Sequence, residues 1–396
     1  MSRFRPQAPS FEEIAGTLSW PVLLRSARLA LRPARLGLAT ILLVLLGLLT
    51  QLPGLWLPED AAPSRTLANL GSLALADFRE ALLKLEPHDA MLALADLLVG
   101  APLQAFRNAP WSVAAIALPA LAVFGILGGA IARLAAEEHA LRTRTHWTRA
   151  LAMALAKPIS LATVILAPAL VLGLVCVVLA LAGRVLFAYD YLDALGGVLY
   201  GAALLAGLLV VVLSLALCLG APMLVPAVVC EGTDAIDAVQ RTLAYALARP
   251  GRLAVYVLIL LLQLSLVVIA LDLVLAGAQR LTASTTMALV PDERGEALRA
   301  LATGEHRQTE PPAAVANPPG TRLAGAALRF WAAVPALALG AYVVSFWFSG
   351  GTLLYLTMRR VCDAQDPEEL WQPGGTPTAH AEDAGSAGSR EEQDDA

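Results

Sequence analysis

Of 396 residues, 58% are hydrophobic even before 30 glycines are counted, and 15% are charged, against roughly 45–50% apolar with glycine included in a soluble domain. That balance excludes an ordinary soluble globular protein. A net charge of −4, with Arg and Lys held in short clusters beside apolar runs, offers no face for nucleic acid.

The segment 1–35 reads as a cytoplasmic amphipathic element. Arg25, Arg28 and Arg32 recur at i, i+3 and i+7, while Trp20, Leu23, Leu24 and Ala27 occupy the other side. Six apolar runs follow at about 36–57, 111–132, 159–182, 196–220, 253–276 and 330–356. Each is long enough for an α-helix to cross a hydrocarbon core of about 30 Å. Their Leu and Ala richness and lack of alternating polarity argue against a barrel. The fold expected is all-α, a polytopic membrane bundle of six transmembrane helices (36–357) with three juxtamembrane amphipathic helices. The first run is too long, and begins too far into the chain, for a cleaved signal peptide.

Between the first two runs, 63–110 carries helical spacing in Leu67, Leu70, Phe78, Leu82 and Leu85, then Met91, Leu94, Leu97 and Leu98, interrupted at Pro87. It is expected to form helices outside, and His88–Asp89 reads as a helix start. The segment 279–329 includes the Pro-rich TEPPAAVANPPG. Residues 358–396, ending in SREEQDDA, are expected to be a disordered acidic tail. Arg and Lys gather before the first, third and fifth runs and at the end of the sixth, so the protein is expected in a bacterial inner membrane with both termini cytoplasmic.

Three short motifs punctuate this plan: LRPARLGLA at 31–39, ALAKPISLA at 154–162 and ALARPGRLA at 246–254. RALAMALAKP and RTLAYALARP extend the likeness upstream. Trp147, Leu151 and Leu155 correspond to Val239, Leu243 and Leu247, at i, i+4 and i+8. The unit expected is an interfacial helix, a basic residue with proline that stops it, and a hairpin of spans, used three times. The anchors are Arg32, Pro33, Arg35, Lys157, Pro158, Arg249, Pro250 and Arg252. Each basic side chain near an anionic headgroup surface is worth about 1 kcal/mol. A motif met three times is architecture rather than a single active site.

Chemistry is sparse. No HExxH, GxSxG, Walker lysine loop or CxxC appears. The four cysteines lie in or beside apolar runs, so a disulfide framework is not expected. His139 and His146 are too few for a metal site, and Glu138 with Arg142 has ordinary i, i+4 spacing. Asp272, near the outer boundary of the fifth run, is expected to pair with Arg280 or Arg329.

The candidate polar site is Pro222, Pro226, Glu231 and Arg241. A helix from Gly196 to Cys230 would be about 52 Å long, so the prolines are expected to kink or break it. A broken helix beside a carboxylate can form an ion or substrate site; the plainer reading pairs Glu231 with Arg241 or Arg249. Gly232 with Thr233 or Asp234 reads as a helix start.

The stretch APMLVPAVVCEGTDAIDAVQRTLAYALARP resembles the membrane domain fused to some bacterial glycerophosphodiester phosphodiesterases. The likeness lies in Pro222 or Pro226, Glu231, Gly232, Ala238 and Arg241. IARLAAEEHALR and GTLLYLTMRR are similar to multi-span proteins of planctomycete-like bacteria. The hydrolase barrel is absent, so the resemblance implies a membrane core and no phosphodiesterase activity.

The function expected is a non-enzymatic membrane scaffold or accessory subunit without a cofactor or metal. Its partners are membrane lipids and proteins meeting the outside helices or the acidic tail. The alternative is a small transporter or lipid-handling permease using the fourth helix.

Overall fold

A computed structural model describes residues 20–52, 101–189, 191–290, 298–300, 302–303 and 319–372, with isolated positions between 73 and 100. Among them the regular elements are helices. Of the expected helices of 63–98 only isolated positions are described, and His88, most of the Pro-rich stretch and the acidic end SREEQDDA lie outside the described residues.

The elements are α1 (Trp20–Leu23), α2 (Arg25–Ala30), α3 (Pro33–Gln51), α4 (Ala101–Asn108), α5 (Pro110–Ala140) and α6 (Trp147–Leu155). They continue as α7 (Pro158–Phe187), α8 (Asp193–Glu231), α9 (Ala235–Ala248), α10 (Pro250–Thr286) and α11 (Pro319–Asp363). Six of these, α3, α5, α7, α8, α10 and α11, are long and apolar enough to cross a membrane.

The three repeated motifs occupy one structural position. Arg32, Lys157 and Arg249 are the N-caps of α3, α7 and α10, and Pro33, Pro158 and Pro250 begin those helices. Proline suits this place because the first helical amide has no intrahelical partner to lose and the ring presets φ. A short helix, α2, α6 or α9, precedes each. The repeat extends to packing: α6 buries Ala150, Met153 and Ala154, while α9 buries Thr242, Tyr245 and Ala246 at the equivalent places. The expected apolar stripe is only partly packed, since Trp147, Leu155 and Leu247 are exposed. Ala150 and Ala154 in α6 and Ala238 and Ala246 in α9 face the bundle and let these helices lie close, with Met153 and Tyr245 beside them.

The long helices alternate in direction, bringing the starts of α3, α7 and α10 and the ends of α5, α8 and α11 to one end, here the basic end. The core lies there. Every residue is buried from Leu127 to Glu137 in α5, from Pro222 to Cys230 in α8 and from Phe348 to Arg359 in α11. Burial all round a helix marks the centre of a bundle.

Glycines permit the approach. A Cβ on Gly128 would overlap the Phe348 ring, and one on Gly351 would overlap the Pro222 carbonyl. Pro226 has no amide hydrogen to give that carbonyl four residues back. The helix backbone at Gly351 therefore meets the one oxygen that the proline leaves without its usual donor.

Toward the other end the helices present apolar surface outward, including Leu174, Val178 and Leu181 of α7, Leu204 and Leu208 of α8, and Leu262, Leu266 and Leu273 of α10. In the most apolar stretch of α5 and α11, 33% of residues are buried, against 6% in α7 and α8. Away from the basic end the first pair stays central, while α7 and the first part of α8 form an outlying hairpin.

Several boundaries differ from expectation. α8 runs through Pro222 and Pro226 as one element, so the expected break does not occur. Its proline-bearing turns are enclosed by neighbouring helices. α10 continues to Thr286 and α11 begins at Pro319, reaching into the segment assigned to a loop. The ordered chain also passes Met358: α11 ends at Asp363, and 364–372 fold back on the basic end.

Candidate functional site

The last turn of α8 must satisfy carbonyls that have no intrahelical donor. Gly232 N–H reaches Val228 O at 2.8 Å, Arg133 Nη1 donates to Val229 O at 3.0 Å, and Trp371 N–H donates to Cys230 O at 2.8 Å. Gly232 is left-handed, with φ 66°, and a Cβ there would strike the Trp371 indole. Both facts require glycine: the conformation is costly for other residues, and the tryptophan occupies the side-chain space. Gly232 thus ends α8, and the next helix starts at Asp234, whose carboxylate lies 3.4 Å from both Lys157 Nζ and Ser160 Oγ.

Glu231 stands at this corner with its side chain 14% exposed. Tyr355 O–H donates to Oε1 at 2.8 Å, Arg359 Nε lies 3.1 Å from the same oxygen, and Arg241 Nη1 lies 3.4 Å from Oε2. Arg359 is 3% exposed and also donates to Gln365 Oε1 at 2.7 Å and Glu369 O at 2.8 Å. Tyr245 donates to Asp363, joining α9 to the end of α11. Burial, then the Asp363 carboxylate, push the Tyr245 phenol above its ordinary range.

A second polar cluster binds α5 to its neighbours. Arg133, 1% exposed, pairs with Glu137 at 2.7 Å, and Thr145 donates to the same carboxylate. Glu138 takes Arg32 at 2.8 Å on Oε1 and Arg35 on Oε2. Arg35 also donates to Leu134 O at 3.0 Å and to Leu29 O.

The expected four residues are therefore only partly one site. Glu231 and Arg241 meet, as the plainer reading had it, whereas Pro222 and Pro226 are buried in the α8–α11 packing. Of the anchors, Arg32, Lys157, Arg249 and Arg252 lie at or near the surface, as do Pro33, Pro158 and Pro250, but Arg35 is 2% exposed and braces the core. The Glu138–Arg142 pair does not form: Leu141 caps α5, and Arg142 turns away at φ 55°. Asp272 is exposed and makes no ion pair among the described residues.

Arg359, Tyr355 and Trp371 complete the corner and were not singled out from the sequence. Tyr355 and Arg359 stand four apart in GTLLYLTMRR, one face of a helix, which was the available signal.

No family model, curated protein or solved structure matches the chain. Chemically, both clusters are braces. Each buried carboxylate is opposed by guanidinium groups from other turns or helices, and Glu231 does not line the cavity described below.

Proposed function

We propose that the protein is a non-enzymatic scaffold or accessory subunit of the bacterial inner membrane, with both termini cytoplasmic and the basic end at the cytoplasmic face. The observation carrying this reading is the closure of the Glu231 corner. A carboxylate held by two guanidiniums and a phenol, and covered by a folded-back strap, has no free valence for a passing ion or substrate. Transport through α8 would need that corner to open onto water. The resemblance to phosphodiesterase-linked membrane domains fits the same reading, because it concerns the membrane core alone.

Purified full-length protein in liposomes tests it. The expected result is solute leak and lipid exchange equal to those of empty vesicles, with a stoichiometric partner recovered on mild extraction from native membranes. Flux that Glu231→Gln abolishes in a folded protein would overturn the reading in favour of a permease. Labelling of an Ala314→Cys variant from the cytoplasmic side would overturn the orientation.

A further inference from the structure

Beside the Glu138 brace a separate cavity of about 600 Å³ opens at the basic end, between α1–α2 and the end of α5. Arg25, Arg28, Arg142 and His139 line it, together with Leu24 and Glu138. We infer that it is a binding site for a phosphate-bearing anion, the headgroup of an anionic phospholipid in the first instance.

Charge is the first argument. Arg25, Arg28 and Arg142 make no ion pair within the described residues. Glu138 does not neutralise them, because each of its oxygens already faces Arg32 or Arg35. Three guanidiniums around one cavity repel one another, and an anion with several acceptor oxygens relieves that repulsion. Guanidinium groups match phosphate oxygens in fork geometry.

The second argument is that the cavity walls are held in place. Gln263 of α10 donates to Leu24 O at 2.7 Å and lies 2.9 Å from the Ser26 hydroxyl, while Ser345 of α11 donates to Ala30 O at 2.8 Å. These bonds fix α2, on which Arg25 and Arg28 stand three apart. Arg142 is delivered by a left-handed residue, a conformation uncommon for arginine.

The third concerns source. Leu24 lines the cavity and is exposed, as is Leu31 just beyond α2. Apolar groups in water beside a phosphate-binding cluster suit an acyl chain better than a soluble ester.

Affinity of the full-length protein in mild detergent for dioctanoyl phosphatidylglycerol, dioctanoyl phosphatidylcholine and glycerol phosphate tests the assignment. Phosphatidylglycerol should bind at least about tenfold more tightly than the zwitterionic lipid, and Arg28→Glu with Arg142→Asn should remove on the order of tenfold or more of that affinity. Arg184→Ala, exposed near the far end and away from the cavity, should leave it unchanged. Arg28→Ala alone serves if the double variant does not fold. Glycerol phosphate that competes on equal terms keeps the phosphate site and makes its ligand a soluble ester. Equal affinity for both lipids, or full phosphatidylglycerol binding by the folded variants, overturns the proposal.

Discussion

The two ends of the bundle solve opposite problems. At the basic end, α5, α8 and α11 are enclosed on all sides, and buried Arg35, Arg133 and Arg359 are each bonded to a carboxylate and to backbone carbonyls. Toward the other end, α7, α8 and α10 turn leucine and valine outward and bury few of them. Lipid is as apolar as leucine, so helices there gain little by association. Definite structure must then come from close packing at glycines and from polar groups with no other partner, and both are concentrated at the basic end.

The contrast can be broken most directly at Arg133. Arg133→Ala leaves the buried Glu137 carboxylate with the Thr145 hydroxyl but no ion-pair partner and should cost about 3–5 kcal/mol, read as a fall in the unfolding midpoint in detergent. Arg184→Ala, exposed near the far end, should change stability by less than about 0.5 kcal/mol. Equal effects would dissolve the distinction between the ends.

Glycine sharpens it by sign. Gly351→Ala places a Cβ on the Pro222 carbonyl and should destabilise by roughly 1–3 kcal/mol. Gly173→Ala and Gly201→Ala, where nothing lies within 4 Å, should stabilise their helices by roughly 0.5–1 kcal/mol. Thermal unfolding of the three variants in one detergent decides the matter.

Glu231→Gln removes a charge-assisted partner from Arg359 and should cost roughly 1.5–3 kcal/mol. A double-mutant cycle with Arg359→Gln measures the part due to that pair; no coupling would show the corner to be packed rather than braced.

The smallest effect concerns Tyr245. Its folded-state pKa is raised, so the hydrogen bond to Asp363 contributes fully below the unfolded phenol value of about 10 and is lost as pH rises through the folded value. Tyr245→Phe should cost about 1 kcal/mol at neutral pH and lose less stability than the unaltered protein on going to pH 11. Parallel pH curves for the two would sink the assignment.

How far this was legible varies from residue to residue. The six apolar runs and the three basic-proline junctions follow from hydropathy and from proline's missing amide. Which apolar stretch is core and which faces lipid does not, because both are apolar; glycines such as Gly128 and Gly351 mark close approach only once the facing helix is known. The Glu231–Arg241 contact was legible because one helix start lies between them. Arg359 and Trp371 come from the far end of the chain, where spacing carries no information about distance. The Glu138–Arg142 spacing misled because i, i+4 holds only while the helix continues, and α5 is capped at Leu141.

Gly232 also sets an order of events. Its left-handed turn packs against the Trp371 indole and the Cys230 carbonyl accepts from the Trp371 amide, both synthesised only after α9, α10 and α11 have emerged. Until then the Cys230 carbonyl lacks the amide that caps it. Trp371 acts as the closing stitch of biogenesis: release of a nascent chain stopped at Asp363 should leave the Gly232 turn cleavable, and one extended through Gln372 should protect it.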